Sequence, residues 1–151
     1  VNTHKIHGSR TEAAGYALLR VGYGLVVLTH GLPKALRIPH GSVADPFAST
    51  TRLIQNGLGV PFATETAILV TLLETAGALM LAAGLYTRQL ALLFVAEMTG
   101  IALATGPKWP WLDHGIEYPV VLGALAAYIA LCGENRYSLD ALRRRSANLQ
   151  G

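Results

Sequence analysis

Three carboxylic acids and three basic groups stand in or at the ends of otherwise apolar runs: Glu74, Glu97 and Glu117, against Arg20, His30 and Lys34. Such groups are costly in a hydrocarbon-like setting, so they turn toward one another, a cavity or a ligand. Their chemistry is specific. Imidazole and carboxylate can pass protons, and ammonium, imidazole and phenol can donate to a carbonyl oxygen. The basic three share one stretch, LLRVGYGLVVLTHGLPK, residues 18–34. At about 100° per residue, with Arg20 at 0°, His30 falls near 280° and Lys34 near 320°. They occupy one arc, bordered by Gly24 and Gly31, while Leu19, Val21, Leu25, Val26 and Leu28 cover the other faces.

Counting depth at about 1.5 Å per residue predicts two clusters. Arg20 meets Glu97 and Glu74 in the deeper one. His30 and Lys34 meet Glu117, and with it His114, toward the other face. Two readings stay open for these groups. They neutralise each other and fix which helix meets which, or they hold a ligand or proton. Arg20 and Glu97 are assigned to the first role, as a structural ion pair; Glu74 and His30 are assigned to the second. Tyr118, next to Glu117, is placed to reach a ligand, while Tyr16, Tyr23, Tyr86, Trp109 and Trp111 read as interfacial anchors. His30, Glu74 and Glu97 lack the spacing of a metal site, and Arg20 and Lys34 would repel a cation, so no metal is expected.

The elements that must carry these groups are helices. The 151 residues are 52% hydrophobic and 14% charged, with a mean hydropathy of +0.39. Average soluble domains carry about 25% charged residues, so the composition points to a membrane protein. The net charge of +3 makes no nucleic-acid footprint. Apolar runs at residues 14–36, 66–86, 89–105 and 118–133 predict four crossings. Lys5, Arg10, Arg88, Arg136 and Arg143–Arg145 fall on the side of the termini, and Lys34, Arg37, Arg52 and Lys108 on the other. Seven against four places both termini in the cytoplasm. Residues 1–13 read as a polar arm containing His4 and His7, 14–133 as the membrane domain, and 134–151 as a basic tail. The N-terminal apolar run has no evident cleavage site and reads as a retained helix.

In the long first connection, Asp45 is expected to cap a short helix with Pro46 at its first position. Phe47, Leu53 and Ile54 would be its apolar contacts; the helix either lies across the outer mouth of the bundle as a lid or interface helix or is a plain connector. Tyr86-Thr87-Arg88 is tight enough to make helices two and three an antiparallel hairpin. Cys132 is the only cysteine; it allows no internal disulfide and is expected to be buried.

The ordered set LLRVGYGLVVLTHGLPK, GLGVP, ETAGALMLAAGLYTR, AEMTGIA, KWPWLDHGIEYPVVL and ENRYSLDALRRR resembles the DoxX family of small four-helix bacterial and archaeal membrane proteins. The resemblance runs from about Leu18 to Leu142, and His30, Lys34, Glu74, Arg88, Glu117 and Tyr118 fall on it. It implies an all-α, four-helix transmembrane bundle with a short re-entrant or interfacial helix in the first outer loop, in a prokaryotic plasma membrane. It also implies a quinone-binding subunit of a redox complex. His30 and Lys34 would donate to one quinone oxygen, Glu117 or Tyr118 would serve the other, and Glu74 would relay protons. The chain has no flavin, dinucleotide, iron–sulfur or haem-ligand pattern, so electrons would come from another subunit and the chain would not be a complete enzyme. The alternative is a non-catalytic anchor or assembly subunit, contacting lipid and a further subunit or a second copy of itself. Where relatives carry tryptophan or glutamine before the lysine, this chain has Pro33, which is expected to kink the helix end.

Overall fold

The computed structural model describes residues 10–148; His4 and His7 lie outside them. The described residues form an all-α fold. Helix α1 spans Arg10–Leu36, so it begins inside the stretch expected to be a polar arm. Helix α2, Pro46–Leu53, runs into a wider π-helical turn at Ile54–Leu58. Helix α3 spans Ala63–Ala83 and contains a second π-helical turn, Leu73–Gly77. Helix α4 is Thr87–Thr105, α5 is Glu117–Cys132 and α6 is Leu139–Asn148. Helices α3 and α4 are each long and apolar enough to cross a membrane, and α5 is a shorter apolar helix.

Local chemistry explains the ends. Asp45 caps α2 as its spacing requires, its Oδ1 accepting from the Ala48 N–H at 2.9 Å with Pro46 at the first turn. Helix α3 stops at Gly84, whose φ of 75° is the left-handed conformation that glycine enters without steric cost. The Leu85 N–H closes the turn on the Met80 carbonyl at 2.8 Å. Pro33 interrupts the hydrogen-bond ladder of α1 by lacking an N–H, yet the helix continues through it to Leu36.

Helix α1 packs along α3, and α4 makes its most extensive contact with α5. Tyr23 and Val27 of α1 meet Ala78 and Leu81 of α3, Phe94 and Met98 of α4, and Leu122, Ala126 and Ile129 of α5 in one core. Gly24 and Gly31 make the α1–α3 approach possible, the small-residue packing common between membrane helices. A Cβ on Gly31 would stand 2.5 Å from the Glu74 carbonyl oxygen. Gly31→Ala should therefore part the two helices and cost about 1–3 kcal/mol of stability, read as a lower unfolding temperature in detergent. Unchanged stability would refute the close approach.

Large apolar side chains also cover the outer faces. Leu18, Leu69, Leu103 and Leu131 are 66–80% exposed. Cys132 belongs to this outer surface and is exposed, contrary to expectation. An apolar run marks compatibility with an apolar neighbour but does not say whether that neighbour is protein or lipid. Tyr23 departs in the other direction: expected at an interface, it is 3% exposed with its ring edge-on to Phe94, centroids 5.5 Å apart.

Candidate functional site

The side-chain direction of a helix decides which charges meet. Each Cα–Cβ bond tilts toward the helix N-terminus, so the basic groups of α1 reach back along it. Lys34 reaches from the last turn to Glu74 in the π-helical turn of α3, its Nζ donating to Oε1 at 2.7 Å and Oε2 at 2.6 Å. Both side chains are largely withdrawn from solvent, 12% and 4% exposed. A π-helical turn holds one residue more than an α-turn and shifts the faces that follow, a device frequent at functional sites. Here it carries Glu74 where α1 comes closest. The Glu97 carboxyl of α4 lies beside that of Glu74, and as placed neither of its buried oxygens has a hydrogen-bond partner among the described residues.

Arg20 points the opposite way from Glu97. Its Nη1 donates to Asn135 Oδ1 at 3.3 Å and its Nη2 to the Tyr137 carbonyl at 2.8 Å. The expected Arg20–Glu97 ion pair is thus not formed, and Lys34 pairs with Glu74 in place of Glu117. Counting Cα depths placed these groups at matching levels, but the long basic side chains displace their charges toward the start of α1. Glu117 accepts from the Trp111 N–H at 3.2 Å and so closes the turn before α5.

His30 sits over the Lys34–Glu74 pair's side of the bundle, between two rings. His40 stands edge-on at 5.2 Å between centroids, and Tyr118 lies tilted at 5.8 Å. Its Nδ1 is 3.1 Å from the Val26 carbonyl oxygen. Thr29 Oγ1 lies 3.3 Å from the same nitrogen; a carbonyl only accepts, so the Val26 contact is a hydrogen bond in the tautomer that carries its proton on Nδ1, and that tautomer leaves the Nε2 lone pair open.

These groups line one cavity of about 430 Å³. His30 and Lys34 come from α1, Glu74 from α3, Glu97 and Met98 from α4, and Tyr118 and Leu122 from α5. Thr50, Leu53, Ile54 and Leu58 of α2 and its π-helical turn form a further wall. The size and the largely apolar lining with a few convergent polar groups suit a small amphipathic ligand. His30, Tyr118 and Glu117 also border an adjoining, more open hollow with Trp111 and His114. His114 therefore neighbours His30 across that hollow and does not join the Lys34 cluster.

The other end of the bundle is a latch. The Asp140 carboxylate accepts from the N–H groups of Tyr86 and Thr87 at 3.0 and 3.1 Å, capping α4. Arg88 donates to the Ala130 and Leu131 carbonyls, Tyr16 to the Ile129 and Gly133 carbonyls, and Asn135 to that of Ala13. Arg144 pairs with Glu134. A hollow of about 650 Å³ lies here among Arg88, Glu134, Asp140 and Arg143. Most of its polar groups are engaged in tying the chain end to the α3–α4 turn, so the chemistry-bearing cavity is the one at Lys34.

The cavity thus unites His30, Lys34, Glu74 and Tyr118 of the expected site, adds Glu97, and leaves Glu117 at its edge. Two residues near it were not singled out for it from sequence. Tyr23, whose hydroxyl is buried without a partner among the described residues, falls at about 300° on α1, inside the arc of the basic groups, and that position was the available signal. His40 lies in a loop, where no periodicity could have flagged it.

Neither a curated protein nor a solved structure matches the chain. Residues 15–107, from the second turn of α1 to just past the end of α4 and including all the cavity residues except those of α5, match the DoxX family. The chain belongs to the DoxX family and is a small membrane protein with two membrane-length helices.

Proposed function

We propose that the chain crosses a prokaryotic plasma membrane four times, with both termini in the cytoplasm, and binds a quinone or quinol in the Lys34 cavity as the membrane subunit of a redox complex. The observation that carries this reading is the cavity itself. An apolar chamber of about 430 Å³ has His30, Lys34, Glu74, Glu97 and Tyr118 converging in its wall, a division that suits a ring with two oxygens and an apolar tail. The exposed leucines on α1, α3, α4 and α5 support four helices in lipid, since in water so much apolar surface would drive association. The latch gathers the start of α1, the α3–α4 turn and α6 at one end. That end carries Arg10, Arg88, Arg136 and Arg143–Arg145, which supports its cytoplasmic placement.

When bound, a quinone supplies a two-electron, two-proton couple. The chain's own residues bind it and manage protons. Lys34 keeps one N–H beyond the two given to Glu74, and the Tyr118 hydroxyl can donate or accept. His30 and the Glu74–Glu97 pair are the groups able to take up or release protons beside the ligand. One cysteine offers no iron–sulfur ligand set, so electrons pass to or from a partner protein.

The test is gentle purification followed by mass spectrometry of the lipid extract. Near-stoichiometric quinone is expected, falling at least tenfold in a folded His30→Ala or Tyr118→Leu variant. If the extract holds no quinone, added short-chain forms do not bind, and the variants still co-purify with a partner complex, the chain is an anchor or assembly subunit instead.

A further inference from the structure

Lys34 keeps one N–H and Tyr118 its hydroxyl as donors to the Lys34 cavity, while the buried lining atoms left without any partner among the described residues are acceptors, the two oxygens of Glu97. The Glu74 oxygens are both taken by Lys34, at 2.7 and 2.6 Å. The two Glu97 oxygens are buried and have no hydrogen-bond partner among the described residues. One proton shared between the neighbouring carboxyls would serve one Glu97 oxygen at most and leave the other bare. His30 uses Nδ1 on the Val26 carbonyl, 3.1 Å away, so in the neutral ring Nε2 is also an acceptor. While that proton stays between the two carboxyls, a headgroup with only carbonyl oxygens brings the bare Glu97 oxygen nothing but further lone pairs. A headgroup with hydroxyls supplies the donor that Glu97 lacks.

We infer that the cavity selects the reduced, hydroxyl-bearing form of its ligand, a hydroquinone over the corresponding quinone, with Glu97 accepting from one hydroxyl. His30 Nε2 is an acceptor available to the other. This rests on the quinone-binding reading and sharpens it. Glu97, which sequence spacing assigned to a structural pair with Arg20, becomes the residue that distinguishes the two oxidation states. Holding the reduced form more tightly raises the potential of the bound couple above that of the free pool, which suits a site that draws electrons in from a partner and stores them as quinol.

The experiment is equilibrium binding of decylubiquinol and decylubiquinone, under anaerobic conditions, to the purified full chain in lipid nanodiscs. The wild-type chain is expected to bind the quinol at least tenfold more tightly, a difference of about 30 mV for a two-electron couple. Glu97→Gln places an amide N–H beside the ligand and is expected to shrink the preference below threefold or reverse it, with both forms still bound. Equal affinities, or tighter quinone binding, in the wild-type chain overturn the inference while the quinone-binding reading stands. A full tenfold preference retained by folded Glu97→Gln also overturns it, because the selectivity then has another source. Binding of neither form overturns both readings. The wild-type comparison is decisive by itself if the variant fails to fold.

Discussion

Lys34→Met should destabilise the protein by about 3–5 kcal/mol, the usual cost of stripping one partner from a buried ion pair. The Glu74 side chain is 4% exposed and both its oxygens rest on the one ammonium. Removing that ammonium leaves Glu74 and Glu97 side by side in an apolar wall without their counter-charge. Either the carboxyls take up protons or the α1–α3 contact at Gly31 opens. Lys34→Met combined with Glu74→Gln removes the stranded charge and should recover most of the loss, because a buried pair is often little better than a neutral replacement. Thermal unfolding in one detergent, run on the single and double variants, measures the coupling. Equal losses in both would mean that Lys34 contributes through packing and not through the carboxylate.

Arg20→Leu should cost about 3–5 kcal/mol for the loss of two hydrogen bonds from a charged donor, and adding Glu97→Leu should not restore it. Arg20 is 1% exposed and its guanidinium ties α1 to Asn135 and Tyr137. Gly84 packs against the same group; a Cβ there would stand 2.9 Å from Arg20 Cζ. The substitution should therefore loosen the segment after α5, and limited proteolysis should cleave between α5 and α6 sooner than in the unaltered chain. Recovery of stability by Glu97→Leu would instead show that Arg20 and Glu97 are energetically paired.

The two predictions turn on one geometric fact that spacing along the chain did not convey. Periodicity correctly gathered Arg20, His30 and Lys34 on one face of α1, and composition identified the carboxylates as the groups that had to answer them. Depth was then judged from Cα positions. A lysine or arginine side chain carries its charge several ångströms back along its helix, enough to exchange partners: Lys34 takes Glu74 and Arg20 takes the chain after α5. The π-helical turn at Leu73–Gly77 added a shift in facing that no 3.6-residue repeat can report. Glu117 gathers with His30, His114 and Tyr118 as expected but does not meet Lys34, for a different reason. It stands at the first residue of α5, where a backbone N–H from the preceding turn competes for a carboxylate.

Local signals are legible in the sequence because their physics is local. Asp45-Pro46 starts α2, Gly84 ends α3, and the four apolar runs became the four long helices with ends shifted by a few residues. The RYSLD stretch and the α3–α4 turn were recognisable as motifs; only the fold revealed that Asp140 of one caps the helix that begins in the other.

By itself, then, the sequence determined the helical class, the membrane character, the family and the list of ionisable residues from which a site must be made, since each follows from composition, periodicity or an ordered set of motifs. Tertiary structure alone decided the pairing. It set Lys34 on Glu74, left the Glu97 oxygens without a partner among the described residues, turned His30 Nδ1 toward a carbonyl and sent Arg20 to the latch. Hydrogen bonds are satisfied over distances of about 3 Å, and at that scale the direction of a side chain and one extra residue in a helical turn outweigh its place in the chain.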